Sequence, residues 1–167
     1  HPGKKLNFMG NEIGQAAEWN HDSSVNWHLL KFAKHNGIQN LYRDLNKAYC
    51  KYPALYELDH SKEGFEWIDH GNADQSILSV LRKSTDAKQK MYVLINFTPE
   101  AYENFTLGVQ DEGDYQLILN SDDKKYWGSG YKTNKKMQSV SESWNDQPFS
   151  VSVNLPPLAS LFLLFKG

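Results

Sequence analysis

The stretch Phe149-Ser150-Val151-Ser152-Val153-Asn154-Leu155 alternates apolar and polar residues without a break. Successive side chains of a strand point to opposite faces, so the three Ser and Asn residues share one face and Phe149, Val151, Val153 and Leu155 the other. That pattern suits an antiparallel sheet with one buried face. The same texture extends in both directions. Downstream, 159–165 contains the longest apolar run, 161–165, which fits a buried strand. Upstream, strands are expected at 65–69, 77–82, 91–97, 104–109, 115–120 and 137–142. Gly71-Asn72, Thr85-Asp86-Ala87, Asp111-Glu112-Gly113-Asp114, Gly128-Ser129-Gly130 and Asn145-Asp146 supply turn chemistry between them. Eight short strands at this spacing predict a mainly β fold, an antiparallel two-sheet β-sandwich. Residues from about 60 onward supply both layers and are expected to fold without the rest.

Before residue 60 the period changes. Ile38, Leu41, Tyr42, Leu45, Ala48 and Tyr49 recur at helical spacing, predicting a helix over 35–51 with one apolar face. Pro53 ends it, because the residue before a proline is pushed out of helical geometry. Residues 55–60 read as a connection. At the start, 5–9 reads as a short apolar strand, broken by the turn Gly10-Asn11-Glu12 and followed by a polar loop carrying Trp19. Strand, turn, loop and helix make one β/α unit, and such a unit needs parallel neighbours. None lies upstream of His1, so the expectation is the C-terminal piece of a larger enzyme.

Composition narrows the function classes. The chain has 167 residues, 40% hydrophobic and 13% aromatic, enough for a core. Its net charge is −2 with no sustained basic block, which argues against nucleic acid as a partner. No apolar run approaches the ~18 residues of a membrane span, and the N-terminus has no signal pattern, so no membrane partner is expected. The single cysteine, Cys50, excludes an intrachain disulfide and fits a cytoplasmic location. The six histidines form no helical zinc pair, and Asp122-Asp123 is too short for a calcium loop. No metal is expected, and no dinucleotide or phosphate motif implies a cofactor.

Several ordered motifs carry a resemblance. Phe8-Met9-Gly10-Asn11-Glu12 is followed by Gly14-Gln15, Glu18-Trp19-Asn20-His21-Asp22 and Trp27-His28-Leu29-Leu30. Further on come Asp44-Leu45-Asn46, Pro53-Ala54-Leu55, Glu57-Leu58-Asp59, Gly64-Phe65-Glu66-Trp67-Ile68 and Asn96-Phe97-Thr98-Pro99. Leu119-Asn120-Ser121-Asp122, Gly128-Ser129-Gly130 and Leu155-Pro156-Pro157-Leu158-Ala159 complete the series. The combination, spread over the whole chain, resembles the bacterial-type 1,4-α-glucan (glycogen) branching enzymes of the α-amylase superfamily. Ile13 stands where a phenylalanine is usual, Ala16-Ala17 where a bulkier pair is usual, and Asn26 where an aspartate is usual. The resemblance implies that residues 1–57 are the end of a catalytic (β/α)₈ barrel, its last strand, loop and helix. It makes residues 58–167 a C-terminal all-β domain. It implies a parent glycosyltransferase that cleaves an α-1,4 glucan segment and transfers it to a 6-hydroxyl through a covalent intermediate. It also places the catalytic carboxylates on earlier barrel strands, so this chain by itself is expected to be inactive.

Five residues are candidates for touching the parent's α-glucan substrate. Asn11 and Glu12 would sit at the C-terminal end of a barrel strand, where active sites are built; Glu12 reads equally as an ion-pair partner. Trp19 can stack on a sugar ring, although packing is favoured for it and more strongly for Trp27 and Trp67. Tyr126 and Trp127 are adjacent aromatics in the polar loop around Asp122 and Gly128. They form either a sugar platform or, as favoured here, a seam against the barrel. Two alternatives stand beside the enzyme reading: a carbohydrate-binding module using Tyr126 and Trp127, and a purely structural domain supporting the barrel. Apolar residues near the start also predict self-association through residues 1–30.

Overall fold

Strands form where the alternating pattern placed them. In the computed structural model, which describes residues 3–167, they are β1 (Phe65–Asp69), β2 (Ile77–Lys83), β3 (Lys90–Asn96), β4 (Tyr102–Val109), β5 (Asp114–Asn120), β6 (Lys136–Gln138), β7 (Phe149–Leu155) and β8 (Ser160–Phe165). His1 and Pro2, the start of the expected barrel unit, lie outside the described residues. All pairings are antiparallel. One sheet has the order β1-β2-β3-β8-β5-β6, and β4 pairs with β7 as a two-stranded ribbon. β6 is shorter than expected; beyond it only Val140 pairs, in an isolated bridge to Ser150.

The core between the sheets is drawn from alternate positions. Tyr92 and Leu94 of β3 meet Leu107 and Val109 of β4, Val151, Val153 and Leu155 of β7, and Leu161 and Leu163 of β8. The face assignment for β7 holds for these valines and Leu155, and Ser152 is exposed. Ser150 departs from it: the bridge to Val140 covers this serine on the other face.

The expectation of one buried face fails for the central strands. Val80, Met91, Val93 and Leu164 point away from the ribbon and are buried too. Their cover is α1 (Ala33–Lys51) with the short 3-10 turn Pro53–Leu55, through Ala48, Tyr49, Tyr52, Ala54 and Leu55. The continuous apolar runs of β3 and β8 are the signature of strands buried on both faces. The fold is therefore helix on sheet on ribbon. A chain beginning at residue 60 would bare this second cluster. α1 ends at Lys51, with Tyr52 extended ahead of Pro53, as the proline requires.

A buried ionic hub binds the layers. Asp59 and Arg82 are 2% and 3% exposed. Arg82 Nη2 donates to Asp59 Oδ1 at 2.7 Å, and the Tyr49 hydroxyl of α1 donates to Asp59 Oδ2 at 2.6 Å. Lys5 also donates to Asp59 Oδ1. One carboxylate thus joins the N-terminal segment, the helix and the sheet.

The expected strand at 5–9 is absent. Among the described residues no segment offers it a ladder, so its backbone stays irregular and Leu6 is 90% exposed, with Phe8 and Met9 also exposed.

Candidate functional site

Four of the five candidate residues fall into two clusters, both carried by α1. In the first, Gly10 (φ 89°) and Gly14 (φ 60°) bracket a 3-10 turn, Asn11–Ile13. Glycine supplies these left-handed conformations without steric penalty. At Gly14 it also makes room, since a Cβ would lie 2.6 Å from Ile38 Cδ1 of the helix. Ile13 is fully buried, and its carbonyl shares a 2.8 Å hydrogen bond with His35 Nδ1. The turn is thereby fastened to α1, leaving Asn11 exposed. Asn7 Nδ2 donates to Glu12 Oε2 at 3.0 Å. The Glu12 backbone N–H and the Asn7 amide hold this carboxyl below the usual range, so it is an anionic acceptor. Glu12 lines a groove of about 560 Å³ with Leu6, Tyr42, Leu45, Tyr49 and Phe162, between the N-terminal segment, α1 and the sheet.

Trp19 stands apart from that groove. It meets Phe8 edge to face, with ring centroids 5.6 Å apart, and remains exposed. Of the three tryptophans for which packing was favoured, Trp19 and Trp67 each have an edge-to-face ring neighbour, Phe8 and Phe65, and all three remain exposed on their other sides. Trp19 and Trp27 lie in a segment with no layer over it, and Trp67 belongs to an edge strand.

The second cluster is the loop after β5. Asp122 is its keystone: Oδ1 accepts from the Ser129 N–H, and Oδ2 from the Ser129 hydroxyl and the Tyr131 N–H, at 2.7–2.9 Å. A Cβ at Gly128 would lie 2.2 Å from the Asp122 carbonyl, so only glycine permits this closure. The loop then rests on α1 at Gly37, where a Cβ would lie 2.5 Å from the Tyr126 carbonyl. Tyr126 is buried, and its hydroxyl donates to Asp44 Oδ2 at 2.7 Å. Hydrogen bonds from Tyr126 and then Lys125 hold the Asp44 carboxyl below the usual range. Tyr126 is thus a seam residue, against α1. Trp127 is 63% exposed and its backbone is left-handed at φ 69°. A bulky residue in that region carries strain of order 1–3 kcal/mol, which tends to be retained at functional sites.

No single cleft collects all five candidates. Sequence reasoning missed the Asp59–Arg82–Tyr49 hub, whose members lie in separate segments of the chain.

Comparison with known proteins places this architecture. The description "Alpha amylase, C-terminal all-beta domain" matches residues 67–166. The chain belongs to that family. The C-terminal all-beta domain corresponds to β1 through β8, while α1 and the first cluster lie ahead of the matched region. The chain is 63% identical over 167 residues to a protein of Pseudoalteromonas atlantica named 1,4-alpha-glucan branching enzyme GlgB, covering all of this chain and 23% of that protein. Proteins of the same name from Aquifex aeolicus (44% identical, covering 100% of this chain and 26% of that protein) and Photobacterium profundum (47%, covering 99% and 23%) are also similar. The chain spans about a quarter of the length of these curated relatives. Among solved structures, a trehalulose synthase mutant in complex with Tris aligns at a TM-score of 0.47 and 16% identity, over 85% of this chain and 22% of that one, too loosely to carry an argument.

Proposed function

We propose that the chain is part of a 1,4-α-glucan branching enzyme, in which residues 1–57 form the end of a catalytic barrel and residues 58–167 the C-terminal β domain. The observation that carries this reading is the 63% identity, over the whole chain, to a protein of that name. The whole enzyme is then a glycosyltransferase that cleaves α-1,4 segments of a glucan and rejoins them as α-1,6 branches. Asn11, Glu12 and Trp19 form its glucan-facing edge, with Glu12 accepting hydrogen bonds from sugar hydroxyls. Trp127 supplies an exposed ring, and Tyr126 anchors it to α1. The cytoplasm is the proposed location; among the described residues no helix is long and apolar enough to cross a membrane.

In this reading the chain alone does no chemistry. Retaining glycoside transfer needs two carboxyl groups about 5–5.5 Å apart, one of them an acid with a raised pKa. In this reading both belong to the catalytic barrel of the whole enzyme. Incubated alone with amylose, the chain should leave the iodine spectrum unchanged. Within a full-length branching enzyme carrying this chain, Glu12→Gln and Trp19→Ala should raise the KM for amylose. A spectral shift produced by the chain alone, or unchanged kinetics in both variants, would overturn the respective assignments.

A further inference from the structure

The β4–β7 ribbon lies on the face of the sheet away from α1, and a groove of about 290 Å³ runs beside it. Its lining includes Asp69 and Asn72 from the β1–β2 connection, Tyr102 and Asn104 of β4, and Trp144 and Asn145 from the loop before β7. Glu103 and Gln75 complete a polar rim, and the lining contains no lysine or arginine.

The backbone at Trp144 is tightly anchored while its side chain reaches water. Trp144 and Gln147 exchange backbone hydrogen bonds of 3.1 and 2.9 Å around Asn145-Asp146, whose φ values are 49° and 59°. Left-handed geometry at both central positions is that of a type I′ hairpin turn, the tightest two-residue connection. Beneath it lies Gly108, where a Cβ would be 2.0 Å from the Trp144 carbonyl. Asn145 Oδ1 accepts from the Gly108 N–H at 3.2 Å, tying turn to strand. For all this anchoring, Trp144 remains 51% exposed. Across the groove β4 bulges between Tyr102 and Phe105, with Asn104 at φ 53°. Bulges re-aim side chains and recur beside functional sites.

The chemistry of the lining is selective. The Tyr102 hydroxyl, the Glu103 carboxylate, the Asn104 side-chain amide and Asn145 Nδ2 make no hydrogen bond to the protein among the described residues, and Asp69 uses only Oδ1, to the Gly71 N–H. Carboxylates and primary amides present paired acceptors or donors that match neighbouring hydroxyls. Aromatic faces take up the C–H face of a pyranose ring. With Asp69 and Glu103 in the rim and no cation, the groove repels anions. A neutral, polyhydroxylated ligand with an apolar face satisfies every feature.

We propose that this groove is a carbohydrate-binding site that seats an α-1,4-glucan chain, with Trp144 as the stacking platform and Tyr102, Asn104 and Asn145 as its polar partners. The choice of α-glucan over other sugars rests on the branching-enzyme reading; the groove's fitness for a sugar does not. The probe is maltoheptaose, titrated into the 167-residue chain while the indole N–H resonances are followed by NMR. The Trp144 indole should shift saturably. Trp144→Ala and Tyr102→Ala should each weaken binding at least about tenfold, the factor that 1.4 kcal/mol corresponds to, while Trp27→Ala, an exposed tryptophan outside the groove, changes it less than about twofold. Circular dichroism checks that each variant is folded. An unshifted Trp144 indole, affinity unchanged in both groove variants, or binding abolished by Trp27→Ala would each overturn the proposal. Saturable binding of cellohexaose without maltoheptaose would overturn the α-glucan assignment. None of these outcomes bears on amylose branching by the whole enzyme, which is read separately.

Discussion

Removing the Asp59 carboxylate is the severest single test of how α1 is held to the sheet. Asp59→Ala removes the carboxylate to which Arg82, itself 3% exposed, donates and leaves the Tyr49 hydroxyl without its acceptor. Breaking a buried pair from one side costs about 3–5 kcal/mol, because the remaining charge stays desolvated. Tyr49→Phe removes one hydrogen bond to a charged group and should cost about 1.5 kcal/mol. The Lys5 side chain is 44% exposed, so Lys5→Ala should cost less than about 1 kcal/mol. In a chain of this size Asp59→Ala should lower Tm by roughly 6–20 °C. Replacing both partners, Asp59→Leu with Arg82→Met, should recover most of the loss, since no buried charge remains. Acid should act on the same group. Burial resists its ionisation, but hydrogen bonds from Lys5, Tyr49 and Arg82 outweigh this and hold the carboxyl below its ordinary 3.8. The folded chain therefore binds this proton less readily than the unfolded chain. The stability it contributes is full above about pH 4 and is lost as pH falls through the folded value. Urea unfolding at pH 7 and across the acid range gives both readings. An Asp59→Ala midpoint matching the unaltered chain, or a Lys5→Ala loss as large as that of Asp59→Ala, would refute this account of the hub.

Three further outcomes follow from packing. Val153→Ala and Leu161→Ala, both fully buried between the sheets, should each cost roughly 1–4 kcal/mol, while Ser152→Ala on the exposed face should stay within about 0.5, as read by urea midpoints. Gly37→Ala should destabilise the chain, reversing the gain of about 1 kcal/mol that alanine brings to an ordinary helix, because its Cβ would meet the Tyr126 carbonyl. Light scattering should show self-association through residues 1–30, abolished by Leu6→Asp with Phe8→Asp; a chain that is monomeric before substitution removes that proposal.

How much of this was legible depended on whether the signal was local. Period-two alternation in β7 and turn residues such as Asn145-Asp146 are short-range, and the strands lie where they point. The i, i+3, i+4 stripe placed α1 within two residues at its start, and Pro53 marked its end. What failed depended on partners distant in sequence. Residues 5–9 look like a strand, but a strand exists only with a ladder beside it. The second face of β3 and β8 was present in their apolar runs, yet only tertiary docking shows that α1 covers it. The Asp59–Arg82 pair joins positions 23 residues apart and has no periodicity to reveal it. Of the candidate residues, the structure sets Tyr126 against α1, Glu12 in a groove and Trp19 beside Phe8; contact with a glucan is not written in their type or spacing, because it depends on a partner outside the chain.

The central claim is that this chain serves a glucan branching enzyme, and a segment exchange tests it most directly. The matching segment of the Pseudoalteromonas atlantica relative, to which this chain is 63% identical, is replaced by this chain within that full-length protein. Branching of amylose is then followed by the fall and blue shift of the iodine complex. The account predicts that the exchanged enzyme branches amylose at a rate comparable to the unaltered relative. A soluble, folded exchange protein that leaves the iodine spectrum unchanged would contradict it.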